Sequence, residues 1–488
     1  MDTEGIVFAS FMVLIRSMFW QYRRPGLPRK ELESFVSNFA NTHVNNAMLS
    51  FGDALHGGMY FGGSSESQKA SEKVLAHAIK KTKTAYNYIR RCYHNNMFID
   101  SGGFQIQMGF IDEKGVPILT DGYCNLMTQL NDPNTYYFIE DVLPSDKIKN
   151  LDSAIQLSID GIHKMAQLPE FIRKNIYYIY HFQTPDIFAG WQRVLREAPP
   201  EMLGGHRWSV GGIVSKGVTS ADSTFISYML PMQDIIRREW DYMCSKQPIY
   251  FHILGVTAQL DILFFALFEA LLKSYGFNVH MTFDSTSTIM SVCRGNVFWY
   301  WTPEPYETYH EISLHPRSAK KLVKTMLPHA RVTNEEVIMR VVRNMQETYG
   351  FKGVEKHYNE DTNRMETATQ YIFMLHQMFT LQQMHRWCKK QSLRLIDCFH
   401  NSTPADFIKE LIDVGTRIRS VDTTTSAIRA KATSISNTLI SFDSILQGNH
   451  KTLEQIMAQT RAIVGGIKES GKYEPTNQLR KELMITCL

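Results

Sequence analysis

The stretch Met97-Phe-Ile-Asp-Ser-Gly-Gly-Phe-Gln105 decides the reading of this chain. Three apolar residues lead into Asp100, and a hydroxyl, two glycines, an aromatic and an amide follow at once. That order predicts a short buried strand that ends in a carboxylate and turns tightly. Gly102 and Gly103 permit positive φ and let a ligand come close to the main chain. Phe104 offers a flat face to a planar ring. Parallel α/β folds place catalytic groups at the C-terminal ends of their strands, beside such turns. A plain strand followed by an Asp-Ser-Gly-Gly turn accounts equally well for this one stretch.

Working outward, the same arrangement recurs. Further strands are expected at Tyr136–Ile139, Ile176–Phe182, Trp208–Val210, Tyr250–Leu254 and His280–Phe283. Helical patterns lie between most of them, at Ser153–Gln167, Asp186–Glu197, Ser223–Cys244 and Gln259–Tyr275. Strands alternating with helices argue for βαβ units and a parallel sheet. The expected fold is therefore α/β, a (β/α)8 TIM-type barrel with insertions, and an open doubly wound sheet is the alternative. No GxGxxG follows any strand, so nothing specific favours a dinucleotide fold. The strands run into Asp100, Glu140-Asp141, His181-Phe-Gln183, Gly211-Gly212-Ile213, Leu254-Gly255-Val256 and Asp284. In a barrel these ends converge on one mouth.

The flanks differ in character. Residues 1 to 95 read mostly as helix with loops, including a helix over Ser71–Tyr93 and a glycine-rich loop, Gly52 to Ser65, without a Walker lysine. From about Ala319 the strand pattern stops. Helices are expected at Asn334–Tyr349, Thr367–Lys390, Pro404–Arg419, Ser426–Leu446 and Thr452–Ile467, with Asp422-Thr-Thr-Thr-Ser426 as an N-cap cluster. The chain thus divides into an N-terminal segment (1–95), a barrel (96–318) and a helical C-terminal domain (319–488).

Net charge is +4, unevenly spread. Residues 319–488 hold 24 Lys/Arg against 17 Asp/Glu, and the remainder holds 28 against 31. A basic rear suits a polyanionic partner, and it equally suits a solvated helical surface. The seven cysteines are scattered, without CxxC or zinc spacing, as in a reducing cytoplasm. The apolar run Ile6–Ile15 is too short to span a bilayer. Ile262–Leu272, interrupted by Glu269, reads as a buried helix.

Two carboxylates at one mouth allow specific chemistry. If Asp100 and Asp284 face a planar ligand, one can attack a sugar carbon and form a covalent glycosyl intermediate. The other can carry the proton the leaving group needs. Gln183 and the main chain at Gly212 and Ile213 would bind the edge of a heterocycle. Asp141 would accept from adjacent N–H groups, as a guanine edge presents them, and Phe104 and Leu254 would sandwich the ring. No metal or redox cofactor is needed. The same acids can also cap helices or pair with Lys and Arg.

Asp100-Ser-Gly-Gly-Phe-Gln105 resembles the signature of the tRNA-guanine transglycosylase family, (β/α)8 barrels that exchange guanine for a 7-deazaguanine. Phe182-Gln183, Val210-Gly-Gly-Ile213, Leu254-Gly255-Val256 and Phe283-Asp284 resemble further family motifs, in family order. Ile139-Glu-Asp141 is a looser match. The resemblance implies Asp284 as nucleophile and Asp100 as general acid/base. It implies Ser101, Gly102, Gly103, Phe104, Asp141, Gln183, Gly212, Ile213 and Leu254 around the base. The family's zinc-binding CxCxxC and its anticodon-reading segment are missing; Asp284 is followed instead by Ser-Thr-Ser-Thr-Ile-Met-Ser-Val-Cys-Arg294. No structural zinc is therefore expected. This combination resembles the DNA-modifying branch, the DpdA-like transglycosylases of phages and bacterial modification clusters. The implied partners are DNA, with the target guanine flipped or single-stranded, and a 7-deazaguanine such as preQ0 or a derivative, in the cytoplasm. An RNA base-exchange enzyme acting on tRNA is the second reading, and a catalytically silent barrel that binds nucleic acid is the third.

Overall fold

The computed structural model describes residues 5–8, 45–52, 72–181 (without 92, 108 and 110), 185–211, 221–284 (without 257), 298–302, 308–312, 358–359, 364–365, 367–418 and 424–447. In chain order these form strands β1 (Gly5–Phe8) and β2 (Asn46–Ser50), helix α1 (Glu72–Arg90) and β3 (Asn96–Asp100). There follow α2 (Gly103–Gln107), α3 (Val116–Leu130), β4 (Thr135–Phe138), α4 (Leu151–Met165), β5 (Ile176–His181) and α5 (Pro185–Glu197). Next come β6 (Arg207–Gly211), α6 (Ala221–Cys244), β7 (Ile249–Ile253), α7 (Gln259–Ser274) and β8 (Val279–Asp284). Beyond β8 lie a hairpin, β9 (Phe298–Thr302) with β10 (Thr308–Ile312), and a two-residue pair, β11 (Tyr358–Asn359) with β12 (Arg364–Met365). Helices α8 (Thr367–Asn401), α9 (Pro404–Ile418) and α10 (Thr425–Leu446) complete the described chain.

Strands β2 to β8 form a curled, all-parallel sheet in chain order. The backbone of β1 pairs with β2 on one side and with β8 on the other. All six strands expected from the sequence are present within a residue or two. Two strands of this sheet are not among those expected. Residues 1–95 were read as helix with loops, yet β1 and β2 lie there. β2 opens on a buried asparagine, Asn46, which accepts a hydrogen bond from Asn96 Nδ2 at 3.0 Å. That polar pair hides both strand starts from a hydropathy reading. Helix α3 and the pairs β9–β10 and β11–β12 also went unforeseen.

Alternation along each strand divides the sheet into an outer face and a concave face. The outer residues meet helices. Tyr180 donates to Asp234 of α6 at 2.9 Å, and Trp208 Nε1 donates to Glu239 of the same helix at 2.9 Å. Tyr123 of α3 donates to the Ile99 carbonyl at 2.6 Å, and its oxygen accepts the Phe138 N–H at 3.3 Å, joining β3 to β4.

The concave residues stack in tiers. At the N-terminal end Arg207 lies over the rings of Tyr250 (3.9 Å), Tyr136 (4.7 Å) and Tyr177 (5.5 Å). Above it Phe98, Phe138 and Tyr177 surround His252, with ring centroids 5.6, 4.9 and 6.0 Å away. Each aromatic buried there contributes on the order of 1.5–3 kcal/mol. The top tier carries the polar groups taken up below.

Helix α7 is buried along nearly its whole length, because the sheet covers one side and the C-terminal helices the other. Glu269, 2% exposed, is held there by Lys273 of its own helix at 2.6 Å and Lys389 of α8 at 3.3 Å. Tyr275 donates to Asp443 of α10 at 2.6 Å, and the Phe268 and Phe442 rings meet at 4.5 Å. Helices α8 to α10 therefore share one core with the sheet. The expected cap cluster supplies Thr424, whose Oγ1 accepts the Ala427 N–H at 3.3 Å. The helices expected at 334–349 and 452–467 lie outside the described residues. Among the described residues, no helix is long and apolar enough to cross a membrane.

Candidate active site

Asp100 is the last residue of β3 and shares the facing of Phe98, two residues earlier, so it stands on the concave side. Ser50, its register partner on β2, donates to its Oδ2 at 2.9 Å. Asp284 is the last residue of β8. Its neighbour Phe283 packs outward on His385 of α8, ring centroids 5.1 Å apart, so Asp284 points inward. Two paired strands, β1 and β2, lie between β8 and β3, and the two acids stand at the same end of the sheet.

Asp284 is anchored from below. Its Oδ1 lies 3.1 Å from the Gly255 N–H and 3.2 Å from His252 Nε2. His252 is fully buried, and its Nδ1 lies 2.8 Å from Thr282 Oγ1. Leu254, half-buried, stands just before this glycine.

The turn after Asp100 carries two glycines for a physical reason. Gly102 has φ +109°, a conformation L-residues with side chains rarely adopt. Gly103 has the Asp141 carboxylate where its Cβ would be. Ser101 is buried, and among the described residues its hydroxyl has no hydrogen-bond partner.

The adjacent acids after β4 part company. Asp141 reaches the mouth, where its Oδ2 meets His181 Nε2 at 2.8 Å; the His181 ring packs on Trp191 of α5, centroids 4.9 Å apart. Glu140 turns the other way, into the packing of α3 and α4, where Thr120 Oγ1 hydrogen-bonds its Oε2. Complete burial pushes the Glu140 carboxyl up to about 8, the Thr120 bond opposes this, and the charge of Asp141 adds to it. Burial likewise raises the Tyr123 hydroxyl well above its ordinary value, helped by the nearby Asp100.

Asp100, Ser101, Gly102, Gly103, Asp141, Leu254 and Asp284 thus gather at the C-terminal ends of their strands. The Phe104 side chain and residues Gln183, Gly212 and Ile213 lie outside what is described, as does the Ser285–Arg294 segment. Sequence reasoning missed two histidines. His181 was read only as a strand end, and His252 as one residue of an apolar run. The available signal was strand parity, since His252 lies beside Thr282 in register and so faces the same way as Asp284. Among the described residues no three His, Cys, Asp or Glu side chains cluster as metal ligands would. No protein-family model matches the chain, and no curated protein matches it.

Proposed function

We propose that the chain is a (β/α)8-barrel transglycosylase that exchanges guanine in DNA for a 7-deazaguanine. The observation that carries this reading is the placement of Asp100 and Asp284 on the concave side, at the same end of β3 and β8, beside the Gly102-Gly103 turn. Asp284 attacks C1′ of the deoxyribose, the C1′–N9 bond breaks, and the base leaves with a proton supplied by Asp100. The incoming base returns that proton to Asp100 and displaces Asp284. Asp141 accepts from the N–H edge of the base, and Gln183 and the main chain at Gly212 and Ile213 complete its recognition. Duplex substrate requires the nucleotide to be flipped from the stack, at about a few kcal/mol. DNA is favoured over tRNA because the anticodon-reading segment of the similar family is missing and residues 319–488 carry the basic surplus.

The test offers the full chain labelled guanine with guanine-containing DNA and tRNA side by side, followed by nucleoside mass spectrometry with candidate 7-deazaguanines. Incorporation into DNA that disappears in Asp284→Ala supports the reading. Incorporation into tRNA alone replaces it with the RNA enzyme. Incorporation into neither, or an active Asp284→Ala, refutes base exchange at this site.

A further inference from the structure

His252 is the least expected residue in the interior, a fully buried imidazole ringed by Phe98, Phe138 and Tyr177. Its Nε2 is 3.2 Å from Asp284 Oδ1, an acceptor when ionised, so Nε2 must carry the proton to make a bond. Thr282 Oγ1 lies 2.8 Å from the other nitrogen, where in this tautomer it donates its single proton in place of the 3.2 Å bond it could otherwise make to the Phe251 carbonyl, which fixes the ring plane. The Gly255 N–H is the second donor, 3.1 Å from the same Oδ1. Both donors therefore converge on one carboxylate oxygen, and among the described residues no hydrogen bond reaches Oδ2.

Resting on the base-exchange reading, we infer that His252 is a positioning residue that assigns the two oxygens of Asp284 different tasks. Oδ2 is the attacking atom. It forms the bond to C1′ as the C1′–N9 electron pair departs with the base. Oδ1 then becomes the carbonyl oxygen of the glycosyl ester, still held by His252 Nε2–H and the Gly255 N–H. When the incoming base attacks C1′, the ester C1′–Oδ2 bond breaks and its electron pair returns to the carboxylate. The two donors at Oδ1 stabilise the charge that re-forms there. They make the carboxylate a good leaving group, and they keep the covalent intermediate from becoming a dead end.

Three variants of the full chain test this, with circular dichroism confirming that each folds. His252→Leu keeps the bulk and removes the donor. His252→Gln sets an amide N–H near the Nε2 position. Asp284→Ala removes the acceptor. Exchange of labelled guanine into DNA should fall about a hundredfold in kcat for His252→Leu, the scale seen when one such donor is lost, with KM for the base changed less than about threefold. His252→Gln should recover about tenfold of that loss. In the ligand-free chain, 15N NMR of the histidines should show His252 protonated on Nε2, with that signal moved in Asp284→Ala. A His252→Leu variant as fast as the wild type, a folded His252→Gln no better than His252→Leu, or a proton on Nδ1 alone would each overturn the inference while leaving base exchange intact. A wild type that exchanges nothing overturns both.

Discussion

The carboxylate of Asp141 occupies the volume that a Cβ on Gly103 would need, so the turn after β3 and the acid after β4 are fitted to one another. Neither can change alone. Gly103→Ala must push Asp141 away from its 2.8 Å contact with His181 or shift the Asp100 turn. Overpacking of this kind costs about 1–3 kcal/mol. A melting curve should show that loss, and base binding should weaken more than nucleic-acid binding. An alanine variant with native stability and native base affinity would show that the two segments are not coupled.

Glu140 makes stability depend on pH in an unusual direction. Burial holds its folded-state value up near 8, against an unfolded carboxyl near 4.5. The folded state thus keeps a proton that the unfolded state has lost, and stability falls as pH rises from about 4.5 through about 8. Glu140→Gln keeps the shape and removes the proton. It should match the wild type near pH 4.5 and exceed it by a few kcal/mol above pH 8, on the order of what such a displacement is worth. Denaturant titrations at both pH values measure the difference, and parallel pH profiles would contradict the assignment.

Arg207 belongs to the opposite end of the sheet from the acids, stacked on three tyrosines and donating from Nε to the Lys174 carbonyl at 2.8 Å. The guanidinium there serves packing, not chemistry. Arg207→Met should lower stability by about 1–2 kcal/mol through loss of the cation–π stack, with kcat for base exchange unaltered in the folded fraction. A large fall in kcat at unchanged stability would tie the two ends together.

The buried ion cluster on α7 offers a fourth check. Lys389→Met removes one of the two lysines that hold Glu269. The cost should be about 1–3 kcal/mol, the usual range for weakening a hydrogen-bonded buried charge. The double variant Glu269→Leu with Lys389→Met should recover most of it, because apolar groups of similar volume replace a buried pair at little cost. Urea unfolding of the three chains measures both steps. A double variant weaker than the single one would show that the ions contribute more than packing.

Much of the architecture was legible because the strands from β3 to β8 each carry an apolar run closed by a polar or glycine stop. Helix α7 was legible too, as an apolar segment around one acid, and the lysines on Glu269 explain why that acid is tolerated. What escaped was hidden by local chemistry. β1 was lost inside a longer apolar run, and β2 begins on a buried asparagine that accepts from another asparagine on β3. Asp100, Asp141 and Asp284 could be named because each ends a run. The histidines that hold Asp141 and Asp284 were harder, since parity within a strand gives the face an imidazole takes but the register that sets its neighbour across the sheet comes only with the fold.

Among the described residues, the Arg207 stack and the aromatic ring around His252 fill the interior of the sheet below Asp100 and Asp284. On the base-exchange reading an arriving base then meets Asp284 from above only after the departing one has left, and steady-state kinetics with DNA and incoming base both varied should give the parallel lines of a substituted-enzyme scheme rather than lines that intersect.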